Sequence, residues 1–219
     1  MRPLLKVCCI ASLDEAEAAI RAGAWAIGLV AEMPSGPGTI SDAQIAEIAA
    51  ATQGRVSRFL LSSRTQGRDL AAHVKETKVD TVQIVDRPDP GAYRSIRQSS
   101  PHVRIVQVIH VEDETAINAA RAAEADGADM LLLDSGRPSA AIKELGGTGR
   151  MHDWSISRKI VDAVDRPVLV AGGLSAENCR EALLASAAVG MDLCSGVRTD
   201  GRLDFDKLNA LTQALNLAA

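Results

Sequence analysis

The sequence predicts an α/β fold, a single TIM (β/α)8 barrel that occupies residues 1–219. Short β-branched runs alternate along the chain with Ala- and Glu-rich stretches of helical period, which indicates parallel strands joined by helices. Aromatic residues make up only 2% of the chain, whereas hydrophobic residues make up 47%. The core must therefore be built from Ala, Val, Ile and Leu, as is typical under a parallel sheet.

Eight runs have the composition and length of buried strands, each followed by a helical stretch. Eight such units in 219 residues are the number that a closed barrel needs. An open, doubly wound sheet shows the same alternation and is the competing fold. The predicted strands are 4–10, 24–30, 55–61, 81–85, 103–109, 129–133, 167–171 and 189–194. The predicted helices are 13–22, 41–51, 67–76, 89–98, 112–125, 155–164, 175–186 and 204–215.

Several residues mark where these helices begin and end. Ser12, Ser41 and Ser175 each have an acidic or amide residue three positions later, a pattern typical of N-caps. Gly23 and Gly127 follow helical stretches as C-cap glycines. The longest connection, 134–154, contains a glycine-rich run that suggests a segment closing over a ligand.

Composition and cysteine spacing exclude several classes of protein. A net charge of −4 and few aromatic residues argue against a nucleic acid partner. No apolar run approaches the roughly 18 residues of a membrane span, and the N-terminus does not resemble a signal peptide. The four cysteines, Cys8, Cys9, Cys179 and Cys194, have the spacing of neither a zinc site nor a secreted disulfide framework. We therefore expect a cytoplasmic protein with reduced thiols, no bound metal and no membrane partner.

Glycines follow the last two predicted strands. Gly172 and Gly173 come after strand seven, and Ser195 and Gly196 come after strand eight. Glycine lets backbone N–H groups approach an anion, and barrels frequently hold phosphate in these two loops. The sequence therefore predicts a phosphate site here, with tight turns of no further function as the alternative.

An acid and a base are predicted at other strand ends. Asp134 directly follows three leucines, and partial desolvation there would raise the pKa of its carboxyl and suit a general acid. Strand alternation puts Lys6 and Cys8 on one face and Val7 and Cys9 on the other. A cation beside Cys8 would favour a thiolate that could take a proton from carbon. The alternatives are a loop carboxylate and a small buried thiol. Gln83 and Asp192 are interior polar residues to which the pattern assigns no chemistry.

Five sequence blocks lie in order along nearly the whole chain. They are 6–8 (Lys-Val-Cys), 82–84 (Val-Gln-Ile), the loop 132–154 with its Leu-Leu-Asp-Ser, Gly-Gly-Thr-Gly and Asp-Trp segments, 172–178 (Gly-Gly-Leu-Ser-Ala-Glu-Asn) and 192–197 (Asp-Leu-Cys-Ser-Gly-Val). Their order and spacing resemble the phosphoribosylanthranilate isomerase family, TIM barrels of tryptophan biosynthesis. The loop block and the 172–178 block are the most specific.

The resemblance implies an intramolecular aldose–ketose isomerase that works without metal or cofactor. Its substrate would be a small phosphosugar, N-(5-phosphoribosyl)anthranilate, which an Amadori rearrangement converts to 1-(2-carboxyphenylamino)-1-deoxyribulose 5-phosphate. Cys8 would be the base that removes the C2 proton, and Asp134 the acid that protonates the furanose ring oxygen. The implied phosphate ligands are Gly172, Gly173, Ser195 and Gly196, with Gly147 and Thr148 closing over the group.

The chain departs from the family pattern beside these residues. Cys9 and Arg198 stand where the family has glycine and glutamate, and Gly38 stands where an arginine meets the anthranilate carboxylate. Losing that arginine removes a strong, often bidentate, contact. Arg58 on a neighbouring strand could supply the missing cation. The residues predicted as possible substrate contacts are Lys6, Arg58 and Gln83.

Two other functions follow from these departures. A paralogous barrel enzyme could use the same acid and base on a different phosphosugar, or a non-catalytic barrel could bind a phosphorylated ligand. The change at Gly38 favours the paralogous enzyme, whereas intact Cys8 and Asp134 disfavour the non-catalytic barrel. For the oligomeric state, either a monomer or a homodimer is expected.

Overall fold

The computed structural model describes residues 2–34, 36–137, 144–145 and 149–215. Eight parallel strands pair in chain order, and the last returns to the first, which closes the sheet into a barrel. This confirms the predicted barrel over the open sheet. The strands are β1 (Leu4–Val7), β2 (Ala26–Val30), β3 (Ser57–Ser62), β4 (Thr81–Ile84), β5 (Arg104–His110), β6 (Met130–Asp134), β7 (Val168–Val170) and β8 (Gly190–Leu193).

Helices surround the barrel, and their starts mostly follow the predicted caps. Ser12 accepts a hydrogen bond from the N–H of Glu15, and Ser41 forms a capping box with Gln44. These helices are α1 (Leu13–Arg21), α2 (Asp42–Ala51), α3 (Gly67–Thr77), α4 (Ala92–Ser99), α5 (Ala116–Asp126), α6 (Trp154–Ala163), α7 (Cys179–Ser186) and α8 (Phe205–Ala214). No helix in the described ranges has the length and apolar character needed to cross a bilayer.

The predicted start of α7 at Ser175 is wrong. The Ser175 side chain hydrogen-bonds Glu177, and its backbone N–H donates to the Asn178 side chain, so these residues form a turn. The helix begins at Cys179 with Asn178 as its N-cap. Local bonds among short polar side chains compete with the helix here.

Strand alternation sorts the barrel residues into two apolar layers. The residues of one layer, such as Leu60 and Val82, pack between the strands and the helices. Those of the other, such as Phe59 and Leu132, fill the barrel interior. The interior contains Trp25 packed edge-on against Phe59, with ring centroids 5.6 Å apart. Trp25 immediately precedes β2, so these rings fill the barrel at its amino end.

Candidate active site

An open cavity lies at the carboxyl ends of the strands. This end of a barrel is where small-molecule sites form. The predicted site residues that line it are Cys8, Gln83, Asp134, Gly172, Gly173 and Ser195. The predicted contacts Gly147 and Thr148 lie outside the described residues.

The thiol of Cys8 lies directly beyond β1 on the inner face of the barrel. Its backbone N–H donates to the carbonyl of Leu193 at 2.7 Å, which fixes the turn against β8. Gly28 of β2 leaves the room that this thiol needs, because a Cβ atom there would lie 2.7 Å from the Cys8 sulfur and 3.0 Å from the Lys6 Nζ atom. The thiol is therefore held next to a cation and opens on the cavity.

Lys6 is fully buried below Cys8 and does not line the cavity. Its Nζ atom lies 2.8 Å from a carboxylate oxygen of Asp192, its register partner on β8. Burial alone would lower the pKa of Lys6, but the Asp192 carboxylate and Cys8 raise it above its ordinary value. Lys6 therefore stays protonated and places a positive charge beneath the thiol.

Asp134 ends β6 on the inner face, following Leu132 by strand alternation. Its carboxyl is 8% exposed and accepts a hydrogen bond from the Ser135 N–H at 2.7 Å. Burial raises the pKa of Asp134, against the lowering effects of that hydrogen bond and of His110. Since β6 and β1 are three strands apart around the barrel, an acid and a thiol border the same cavity from different sides.

Two glycine turns form the cavity wall between Cys8 and Asp134. Gly172 and Gly173 have φ angles of +86° and +61°, which glycine adopts readily. After β8, Gly196 packs so closely on the carbonyl of Leu174 that a Cβ atom would overlap it. No hydrogen bond joins the backbone N–H groups of 172, 173, 195 or 196 to another described residue. Gly172, Gly173 and Ser195 line the cavity, so their N–H groups are available to an anion there, whereas Gly196 lies behind them.

Arg58 does not reach this cavity, so the suggestion that it replaces the missing arginine is wrong. Phe59 and Leu61 face the barrel interior, which turns Arg58 outward near the amino end of β3. Its guanidinium bonds Asp80 at 2.9 Å and the carbonyl of Ala49 at 2.8 Å. Gln83, by contrast, lines the cavity, and its buried Oε1 atom has no partner among the described residues.

Strand alternation also misplaces Cys9, which was predicted to face away from Cys8. The strand ends at Val7, and Cys9 takes a φ of +62°, so its side chain turns back into the cavity wall. There its sulfur lies 2.6 Å from that of Cys194. Gly38 of loop two packs on it, because a Cβ atom at position 38 would lie 2.5 Å from the Cys9 Cβ. The two departures at positions 9 and 38 are therefore physically coupled.

The turn after β1 is held by a buried ion pair that the sequence did not predict. Arg198 donates hydrogen bonds to the carbonyls of Cys8, at 3.1 Å, and of Cys9. Its guanidinium also pairs with Glu15, at 3.2 Å. Glu15 in turn accepts from the N–H groups of Ala11 and Leu203. The sequence shows an arginine at position 198 where the family has glutamate. Nothing in the spacing of the motifs, however, predicts that Arg198 contacts Glu15.

Members of one known protein family are similar to this chain in sequence and in fold. The family model of N-(5'-phosphoribosyl)anthranilate isomerase matches residues 5–214. N-(5'-phosphoribosyl)anthranilate isomerase 2 of Methanosarcina mazei is 34% identical over 195 residues, which are 89% of this chain and 85% of that protein. The isomerase of Natronomonas pharaonis is 32% identical over 96% of both chains. The crystal structure of phosphoribosyl anthranilate isomerase from Thermus thermophilus superimposes with a TM-score of 0.81 at 25% identity and covers 98% of both chains. The chain therefore belongs to the N-(5'-phosphoribosyl)anthranilate isomerase family.

Proposed function

We propose that this protein catalyses the Amadori rearrangement of N-(5-phosphoribosyl)anthranilate in tryptophan biosynthesis. The observation that carries the proposal is one cavity bordered by a thiol, a buried carboxyl and two glycine turns with available N–H groups. An aldose-to-ketose shift needs an acid and a base on different sides of a sugar carbon. Membership of an isomerase family supports the same reaction.

In the first step, Asp134 gives its proton to the furanose ring oxygen. The C1–O bond breaks as the nitrogen lone pair forms a C1=N bond, which leaves an open-chain iminium ion. A carboxyl whose pKa is raised by burial retains its proton nearer neutral pH, which suits this role.

In the second step, Cys8 as thiolate removes the proton from C2. The C–H electron pair forms the C1=C2 bond, the C1=N bond becomes a single bond, and the resulting enol tautomerises to the ketone. Lys6 supports this step by placing a buried positive charge next to the Cys8 sulfur. The backbone N–H groups of Gly172, Gly173, Ser195 and Gly196 would hold the phosphate, with Gly147 and Thr148 as further proposed contacts.

The test is turnover of N-(5-phosphoribosyl)anthranilate by the pure, folded protein. We expect conversion that Cys8→Ser lowers by about 10²-fold or more, since a hydroxyl is a far weaker base than a thiol. Cys179→Ser on α7 is the matched control, because that thiol lies outside the cavity wall. Absence of conversion by the wild-type protein would overturn the proposal.

A second candidate, the same chemistry on a different phosphosugar, is favoured by one observation. No Arg or Lys among the described residues lines the cavity, so none of them meets an aromatic carboxylate there. Turnover of the anthranilate substrate should be compared with that of the aniline analogue, which lacks the carboxyl group. A ratio of kcat/KM below about 10 supports the broader substrate range, since a charged pair to the carboxylate gives roughly 10²-fold.

We place this reaction in the cytoplasm, and we propose a monomer or homodimer. All four cysteines are unpaired, which suits a reducing compartment. Light scattering on the purified chain distinguishes the two oligomeric states, and a mass above that of a dimer contradicts both.

A further inference from the structure

We propose that Cys9 and Cys194 are a redox modification site, a thiol pair that forms a reversible disulfide across the seam between β1 and β8. Their sulfur atoms lie 2.6 Å apart, and both thiols are free. Both side chains line the open cavity, and Cys194 is partly exposed whereas Cys9 is buried. The proposal concerns thiol chemistry alone and does not depend on the proposed isomerase activity.

The turn after β1 brings the two sulfur atoms of the pair together. In the register of the seam, Lys6 pairs with Asp192 and Val7 with Leu193. Continuing it would set Cys8 opposite Cys194, but the positive φ of Cys9 brings the Cys9 sulfur to Cys194 instead. Since a disulfide bond is about 2.0 Å long, the two sulfur atoms need to approach each other by only about 0.6 Å to form it.

The two thiols differ in the way that such a reaction requires. The hydrogen bond shared with Cys9 lowers the pKa of Cys194 against the effect of burial, and Arg198 lowers it further. The same shared proton raises the pKa of Cys9. Cys194 is also the more exposed of the pair. It is therefore the sulfur that attacks an oxidant, and Cys9 is the resolving thiol.

The oxidant is a peroxide. The Cys194 thiolate attacks one oxygen of H₂O₂, the O–O bond breaks, and a sulfenic acid and water form after proton transfer. The Cys9 sulfur then displaces the hydroxyl, which leaves as water with the Cys9 proton. In sum, two thiols and one H₂O₂ give one disulfide and two waters, and a dithiol such as dithiothreitol reverses the change.

The described residues favour this chemistry over metal binding. No group of three or more His, Cys, Asp or Glu side chains among them is arranged to hold a metal ion. The thiol of Cys179 is buried on α7 and donates to the carbonyl of Ala176, so it serves as an internal control.

The first experiment counts thiols and maps the bond in the full chain. The reduced protein is treated with one equivalent of H₂O₂, denatured, alkylated and digested with trypsin. We expect the titratable thiols to fall from four to two, with peptide 7–21 joined to peptide 181–198. Four remaining thiols, or a bond that involves Cys179, would overturn the proposal.

Variants identify the partner in peptide 7–21, which contains both Cys8 and Cys9. Cys8→Ser should still cross-link, whereas Cys194→Ser and Cys9→Gly should not; glycine is chosen because it keeps the positive φ. Cys179→Ala is the matched control and should cross-link like the wild type. If Cys8→Ser abolished the bond while Cys9→Gly retained it, the assignment to Cys9 would be wrong.

Melting temperature gives a second, independent measurement. The pair is separated by 185 positions, so a bond between them closes most of the chain into a loop. Constraint of the unfolded chain should raise the Tm of the oxidised protein by on the order of 10 °C, and dithiothreitol should reverse the rise. If the disulfide were mapped but the oxidised protein kept the Tm of the reduced protein, the bond would not constrain the seam between β1 and β8.

Discussion

At the scale of single residues, burial makes Asp134 suitable as an acid. Its pKa is raised because the carboxyl ends a strand inside the barrel mouth. Asp134→Asn removes the transferable proton and keeps the shape, so we expect kcat to fall by about 10²–10⁴-fold. Because the protonated form is the active one, wild-type kcat should fall as pH rises through this pKa. That limb of the pH profile should disappear in the variant.

The control for Asp134→Asn is Asp162→Asn, which changes an exposed carboxylate on α6. It should leave both kcat and its pH dependence unchanged. If Asp134→Asn kept wild-type kcat, Asp134 would have no role as the acid.

A second residue-scale prediction concerns the contact between Cys9 and Gly38. Gly38 has a φ of +78°, and an added Cβ atom would meet the Cys9 side chain. Gly38→Ala should therefore destabilise the protein by about 2 kcal/mol, from backbone strain together with the clash. In the Cys9→Gly background the clash is absent, so the same substitution should cost about 1 kcal/mol less. Urea unfolding of the four proteins of this cycle measures the coupling, and strictly additive effects would refute it.

At the scale of elements, the turn after β1 depends on the Arg198–Glu15 pair. Removing one partner of a buried ion pair costs about 3–5 kcal/mol, because the other charge is left unpaired. Both side chains are only slightly exposed, so Arg198→Ala should destabilise the fold by an amount near the lower end of this range. It should also lower kcat, because the carbonyls of Cys8 and Cys9 lose their donor.

The pH dependence of stability tests the same pair. Burial would raise the pKa of Glu15, but hydrogen bonds from Arg198, Leu203 and Ala11 lower it below its ordinary value. The stabilisation is therefore complete above the unfolded pKa of about 4.3 and is lost as pH falls through the lower, folded value. In Arg198→Ala this acid-induced loss should be smaller. An equal loss in both proteins, measured by urea unfolding between pH 7 and 3, would contradict the assignment to Arg198.

Elements were also the scale at which the sequence was most informative. Composition and period place all eight strands and helices, because a core with few aromatic residues needs long aliphatic runs. The sequence also predicts the inner face of β6, because strand alternation points Leu132 and Asp134 in the same direction. Alternation fails where a strand ends, as at Cys9, and it does not say which set of residues faces inward, as at Arg58. Contacts between distant turns, such as that of Gly38 with Cys9, have no local signal.

At the scale of the whole molecule, the first and last strands are joined by one buried charge pair. Lys6 and Asp192 link β1 to β8 inside the barrel, and the Lys6 ammonium also lies 5.4 Å from the Phe59 ring centroid. Lys6→Met keeps the volume of the side chain but leaves a buried carboxylate without its cation. We expect a loss of about 3–5 kcal/mol in the free energy of unfolding, and less when Asp192→Asn is added. Because the pair raises the pKa of Lys6, the lysine keeps its charge below about pH 10.4, whereas burial raises the pKa of Asp192 against the effect of Lys6. Urea unfolding at pH 7 measures the loss of stability. If the single and double variants were equally unstable, the loss would not come from a buried carboxylate left without its cation.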